Sequence, residues 1–375
     1  MRNPLASLPL LMATIFPLLV TVCFNSATAQ PVVETNSLRL PRTNLLVFHN
    51  RKGEVVPVKS KADWQKRRAE IIHGFESVAG PLPGREKRCA LAVRVEDTTD
   101  CGSYERRLIT YQSEPGSRVP AYLLIPKVAF ESRKKFPAVL CLHPTEMQLG
   151  HRVTVEQVAG KYRAYAHDLA LRGFVVLAPA YPLMANYQPD LKSLGWQSGT
   201  MKAIWDNKRG LDLFDGLSFV KHGNYGAIGH SLGGHNAIYT AVFDERIKVI
   251  VSSCGFDSFL DYYGGDPKNW QPGRGWCQER YMPRLAEYRG RLEEIPFDFH
   301  ELIAALAPRT VFINAPLEDS NFRASSVDEV VKAAAVVYRL YGTEKNLQVV
   351  HPPGGHDFPE EVREHAYEFV ERELR

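Results

Sequence analysis

From Phe136 to the C-terminus, short uninterrupted apolar runs alternate with longer stretches of helical periodicity, and this alternation restricts the fold more than any other feature. The runs are AVLCL (138–142), FVVLAP (174–179), YGAIG (225–229), KVIVSS (248–253), TVFIN (310–314) and LQVV (347–350). Among them lie helix candidates at Tyr162–Arg172, Trp205–Lys221, Gly233–Phe243, Ser326–Tyr341 and Glu360–Glu373. A strand that is apolar on both faces must be covered on both, so the pattern predicts an α/β fold with a mostly parallel central sheet and helices on both faces. Upstream, Ala90–Glu96, Tyr104–Gln112 and Val119–Ile125 predict an antiparallel meander at the sheet edge. Residues 30–89 read as an N-terminal arm plus an amphipathic helix at Lys61–Ala79, with Trp64, Ile71, Ile72 and Phe75 on one side. No internal repeat divides the chain, and one domain over 30–375 is the economical expectation.

Residues 1–29 read as a signal peptide rather than as part of the fold. Arg2 gives a minimal basic start, Leu5–Phe24 is apolar but broken by Pro9 and Pro17, and ATAQP offers an Ala-x-Ala exit with cleavage after Ala29. A retained membrane anchor is the competing reading, and Val22 disfavours lipidation at Cys23. The expectation is an exported protein, periplasmic or extracellular, with no stable membrane insertion after cleavage. Export permits disulfides, and Cys89 with Cys101, and Cys254 with Cys277, are sequence-near pairs able to bridge. Cys141 sits inside an apolar run and reads as a small buried hydrophobe. The formal charge of +4 is too small, and the basic residues too scattered, for a nucleic-acid partner. No Cys/His spacing suggests a metal, and no cofactor motif stands out.

Gly229-His230-Ser231-Leu232-Gly233 has the form of a nucleophile elbow, in the strand–turn–helix context that form requires. A sharp turn strains the serine backbone and tolerates only minimal flanking side chains, a demand that Gly229, Gly233 and Gly234 meet. The bland alternative is an ordinary Gly-Ser-Gly turn. A serine hydroxyl needs a base, and His356, in a Gly-Gly-His loop after the last strand, is the choice. His351 reads as structural, and His143, His230, His235 and His300 as packing residues. Asp319, after TVFIN, is the expected acid; Glu318 and Asp257 are rivals. The oxyanion hole is expected from the backbone N–H groups of Leu232 and Thr145, because Pro144 has none to give.

The stretch 255–300, between the strands KVIVSS and TVFIN, is longer than a crossover needs and reads as a lid-like insertion or substrate wall. Its Tyr262, Tyr263, Trp270, Trp276 and Tyr281, with Arg274, are candidates to stack on a sugar or bind a carboxylate; Trp270, Arg274 and Trp276 lead that set. The alternative is a packed surface excursion.

With these residues in place, the chain resembles the α/β-hydrolase superfamily from about Phe136 onward. AYLLIPK, ALRGFVVLAPAYP, GAIGHSLGGHNA, APRTVFINAPLEDSNF and HPPGGHDF look like secreted bacterial sequences related to acetylxylan esterases and dienelactone hydrolases. IPFDFHELIAALAPR is similar to a segment of glucuronoyl esterases. Those esterases carry Arg directly after the nucleophile where this chain has Leu232, which argues against uronoyl methyl esters. Dienelactone hydrolases use a cysteine nucleophile, which Ser231 argues against. The resemblance implies the α/β-hydrolase fold and a Ser-His-Asp acyl-enzyme mechanism on acetyl or uronoyl esters of carbohydrate, with no cofactor. A prolyl-oligopeptidase-type peptidase is the rival enzyme, but the roughly 100 residues before the core cannot hold its propeller. A non-catalytic binding protein on the same fold is the third reading.

Overall fold

The computed structural model describes residues 39–156 and 163–375; the signal peptide expected at 1–29 and the first residues of the expected arm lie outside the described residues. In chain order the elements are β1 (Val47–His49), β2 (Val55–Pro57), α1 (Lys61–Ala79), β3 (Arg94–Asp100), β4 (Tyr104–Glu114), β5 (Ser117–Pro126), α2 (Val128–Glu131) and β6 (Phe136–Leu142). There follow α3 (Tyr165–Leu171), β7 (Val175–Pro179), α4 (Gly199–Asp215), β8 (Val220–His230), α5 (Leu232–Phe243), β9 (Ile247–Ser253), α6 (Phe299–Ala304), β10 (Thr310–Asn314), α7 (Ala324–Tyr341), β11 (Leu347–Val350) and α8 (Glu360–Leu374).

Among the described residues nine strands form one sheet in the order β11-β10-β9-β8-β6-β7-β5-β4-β3. The strands from β6 to β11 pair in parallel, and β3, β4 and β5 add the expected antiparallel edge. Alternation along each strand divides the core. Ala138, Leu140 and Leu142 of β6 face the layer containing α1, α4, α5 and α7, while Val139 and Cys141 face α3 and α8. This is the α/β-hydrolase architecture. The chain runs from β6 outward to β7, then returns across β6 to β8, so the strand order reverses at β6. The crevice at the carboxyl ends of β6 and β8 is where such a sheet binds ligands. Register aligns those ends, pairing Leu142 with Gly229, His230 with Ser253, Ser253 with Asn314, and Asn314 with Val350. Every loop expected to carry chemistry leaves this one edge.

Two boundaries differ from expectation. The helix expected at Trp205–Lys221 is α4, which starts earlier because Ser198 caps it, its Oγ accepting from Met201 N–H at 3.0 Å. Residues from Val220 already belong to β8. The edge strand lies at Arg94–Asp100 rather than Ala90–Glu96, with a bulge between Val95 and Asp97. The disulfide pairs are a further difference: Cys89, Cys101, Cys141, Cys254 and Cys277 are all free thiols. The Cys89 thiol contacts the Gln112 carbonyl and the Cys101 thiol the Thr99 carbonyl, each at 3.9 Å.

The insertion forms five short 3-10 turns ahead of α6. Trp270, Trp276, Met282, Leu285, Ile295 and Phe297 are buried in it, so it packs as a wall. Asp298 ties it down. Its carboxylate caps α6 through Phe299 N–H at 2.7 Å, accepts from Ser258 Oγ at 2.9 Å, and pairs with Arg42 of the arm at 2.8 Å. Asp298→Ala removes the counter-charge of Arg42, whose guanidinium keeps only the carbonyls of Leu292 and Glu293, and strips the buried Phe259 and Phe299 N–H groups of their acceptor. It is expected to lower stability by about 3–5 kcal/mol in urea unfolding; a loss below about 1 kcal/mol would show that the clamp carries little.

Candidate active site

The elbow is built from the end of β8, one residue, and the start of α5. Ser231 has φ 54° and ψ −119°, a conformation that side-chain-bearing residues rarely adopt. It is over-determined by its surroundings: Ser231 N–H donates to Ser253 O at 2.8 Å, and Ser231 O accepts from Gly234 N–H at 2.8 Å. Gly233 is obligatory, because a Cβ there would lie 1.9 Å from Leu142 O. That contact brings the loop after β6 against the first turn of α5.

His356 Nε2 lies 2.9 Å from Ser231 Oγ, and its Nδ1 lies 2.8 and 3.0 Å from the two oxygens of Asp319. A carboxylate only accepts, so Nδ1 carries the proton and Nε2 is left as the acceptor facing the hydroxyl. Burial works to raise the Asp319 pKa. The His356 hydrogen bond and charge, with N–H donors from Asn321 (2.8 Å) and Phe322 (3.2 Å), outweigh it and hold the carboxyl below its ordinary value. The three side chains therefore form one continuous hydrogen-bonded chain, with His356 20% exposed toward solvent.

The rival acids are engaged elsewhere. Glu318 accepts from Gly354 N–H at 3.1 Å and braces the histidine loop. Asp257 is 1% exposed, and one oxygen accepts from Arg323 N–H at 3.2 Å. Burial above all, with the charges of Asp298 and Asp319, pushes its pKa up to about 8, against the Arg323 N–H contact. The other histidines sit as expected. His351 bridges Ala315 O and Asp328, and His230 meets Ser253 Oγ. His143 and His235 are buried, with pKa values lowered to about 4 and about 3 by desolvation.

The loop that carries His356 is clamped by residues the sequence reading did not single out. Asp357 O accepts from Asn314 Nδ2 at 3.0 Å and from the Cys254 thiol at 3.1 Å, and its carboxylate meets Arg163 at 2.6 Å. Only the adjacency of Asp357 to His356 and of Asn314 to the strand end hinted at this. Cys254, Asp319 and His356 have ligand-type atoms within 4.8 Å of one another, a trio with the donor types for a thiophilic ion. Burial and then the Asp319 charge raise the thiol pKa, and all three groups are already engaged in the contacts above.

Leu232 is fully buried and opens α5, where backbone N–H groups lack intrahelical partners. Thr145 stands exposed on the loop after β6, its Oγ1 2.8 Å from Tyr281 OH. His143 shapes that loop: its Nδ1 meets Pro144 O at 2.7 Å and its Nε2 accepts from Tyr181 N–H at 3.0 Å. The wall residues separate into three cases. Trp276 is buried beside the elbow helix, its ring 4.6 Å from His235 and 6.2 Å from Tyr281. Trp270 is a correction: it is fully buried against Phe259 and Tyr262 and has no face for a ligand. Arg274 is exposed on a turn of the insertion.

Residues 193–342 match the family model of fungal glucuronyl esterases. YtaP of Bacillus subtilis (strain 168), a hydrolase in name, is 26% identical, the match covering 82% of this chain and 100% of that protein. The fold is similar to a glucuronoyl esterase from Solibacter usitatus (TM-score 0.71, 20% identity, 90% of this chain and 98% of the other). It is similar also to a promiscuous family 15 carbohydrate esterase from a marine bacterial metagenome (TM-score 0.68, 17% identity, 89% and 97%).

Proposed function

We propose that this α/β-hydrolase is a serine carboxylic-ester hydrolase acting on esterified carbohydrate. The observation that carries this reading is the unbroken hydrogen-bond chain from Ser231 Oγ through His356 to Asp319, at the switch point of the sheet. Ser231 Oγ attacks the ester carbonyl while His356 Nε2 takes its proton, and Asp319 stabilises the resulting imidazolium. The N–H groups of Leu232 and Thr145 receive the developing oxyanion. Collapse of the tetrahedral species expels the alcohol, protonated by His356, and leaves an acyl-Ser231. His356 then deprotonates water, which attacks the acyl group; the acyl–Oγ bond breaks, Ser231 Oγ takes the proton back from His356, and the acid leaves. Each step uses protein groups and water.

Carbohydrate is favoured because the matching family model and the similar solved structures are carbohydrate esterases. They also favour a uronoyl ester over an acetyl ester, despite Leu232 after the nucleophile. Export follows from the leader-like start; among the described residues no helix is long and apolar enough to cross a membrane. The test is a release assay on two substrates, an acetylated oligosaccharide and a uronate methyl ester, reading acetate and methanol. Methanol release at least tenfold faster than acetate release is expected. Acetate alone would move the substrate to acetyl esters, while cleavage of an amide panel with both esters untouched would sink the esterase reading.

A further inference from the structure

Beside the loop that carries Thr145 lies a cation that no carboxylate among the described residues neutralises. Arg280 is half-buried, its guanidinium 5.9 Å from the centroid of the Tyr281 ring and its Nη1 against Met147 Sδ, at the exposed end of that loop. Arg280 makes no ion pair among the described residues. Arg163 is neutralised by Asp357 at 2.6 Å, Arg323 by Asp261, and Arg152 by Glu156 at 2.5 Å, while Arg274, which also has no ion pair among the described residues, stands exposed on its turn of the insertion. Two carboxylates stand close in sequence, Glu279 next to it and Glu146 next to Met147, yet neither pairs with it. Glu146 Oε1 accepts from Gln148 N–H at 2.9 Å.

The position of Arg280 is built into the fold. Gly199 N–H donates to Glu279 O at 2.9 Å, Thr200 N–H to Tyr281 O at 3.2 Å, and Tyr181 OH to Arg280 O at 2.7 Å. A Cβ on Gly199 would lie 2.4 Å from Arg280 O, so this close docking needs the glycine. One residue on, Tyr281 OH meets Thr145 Oγ1 at 2.8 Å. The backbone of Arg280 is thus fixed between the start of α4 and the loop after β6. Its guanidinium lies over the Tyr281 ring, whose hydroxyl meets Thr145 on the loop after β6.

We propose that Arg280 recognises a carboxylate on the sugar next to the ester, so that the preferred substrate is an ester of an acidic oligosaccharide. The guanidinium fork matches a carboxylate in a way no neutral hydroxyl does. The proposal rests on the ester-hydrolase reading above for its substrate, but its test does not need turnover. In the Ser231→Ala protein, calorimetric titration compares a uronate trisaccharide with its carboxyl-reduced neutral counterpart. The uronate is expected to bind about tenfold to a hundredfold tighter, the range of a charged hydrogen bond. Adding Arg280→Gln removes the preference, adding Arg280→Lys keeps part of it, and an unchanged unfolding midpoint shows that each variant is folded. Equal binding of the two trisaccharides, or a preference that survives Arg280→Gln, overturns the proposal. Arg280-dependent uronate binding in a protein whose wild type cleaves no ester would overturn the hydrolase reading and leave this one standing.

Discussion

Ser231→Ala is expected to lower kcat on a p-nitrophenyl ester by on the order of a millionfold, down to the background that water and the oxyanion donors sustain. The size follows from the reaction path: without Oγ no acyl-enzyme forms, and His356 has no hydroxyl to deprotonate. The thermal unfolding midpoint should stay unchanged. Alanine keeps the same Cβ at φ 54°, so it meets the strain serine already bears, and Ser231 is held through its backbone bonds to Ser253 and Gly234. This pairing separates chemistry from folding. Turnover within tenfold of wild type in a folded Ser231→Ala protein would end the nucleophile assignment. Lost turnover with a lowered midpoint would be a folding result.

The elbow was legible in the sequence because each of its parts has a local signature. β8 is an apolar run, α5 a helical one, and the glycines between them have no role in either. The sheet followed from the same local patterns, and failed only where they are weak. α4 opens with GTMK, which carries no apolar period, so its start was visible only through the Ser198 cap. β3 lies exposed at the edge, where packing imposes no alternation. The site was less legible because its remaining choices are non-local. Trp270 and Trp276 are six residues apart in one aromatic-rich segment. Nothing in the chain says that one is sealed against Phe259 while the other packs beside His235. The Asn314–Asp357 and Cys254–Asp357 bonds join residues over 40 positions apart. The acid was ambiguous for the same reason: the loops after β9 and β10 both offer a buried aspartate, and only distance to His356 tells them apart.

Asp319→Asn and Asp257→Asn are therefore expected to behave as opposites. With asparagine at 319, the amide favours the wrong tautomer of His356 and no longer stabilises the imidazolium. The expected loss in kcat is about 10⁴-fold, the cost of that change in serine hydrolase triads. Asp257 makes no contact with His356, so its substitution should leave kcat within about tenfold, a margin for its place beside the site. The two differ in stability as well. The Asp319 pKa is lowered on folding, so its ionised form contributes stability that is present above its unfolded value of 3.8 and is lost as pH falls through the folded value. The Asp257 pKa is raised from 3.8 to about 8, so the folded protein holds that proton more tightly than the unfolded chain does. Its contribution is fully present below pH about 4 and is lost as pH rises to about 8, where a buried carboxylate with one unpartnered oxygen must ionise. Asp257→Asn removes that ionisation. The variant should gain on wild type progressively between pH 4 and pH 8, by up to several kcal/mol at the alkaline end, when urea unfolding is followed across that range. If Asp257→Asn instead lost activity about 10⁴-fold while Asp319→Asn stayed active, the triad acid would lie after β9.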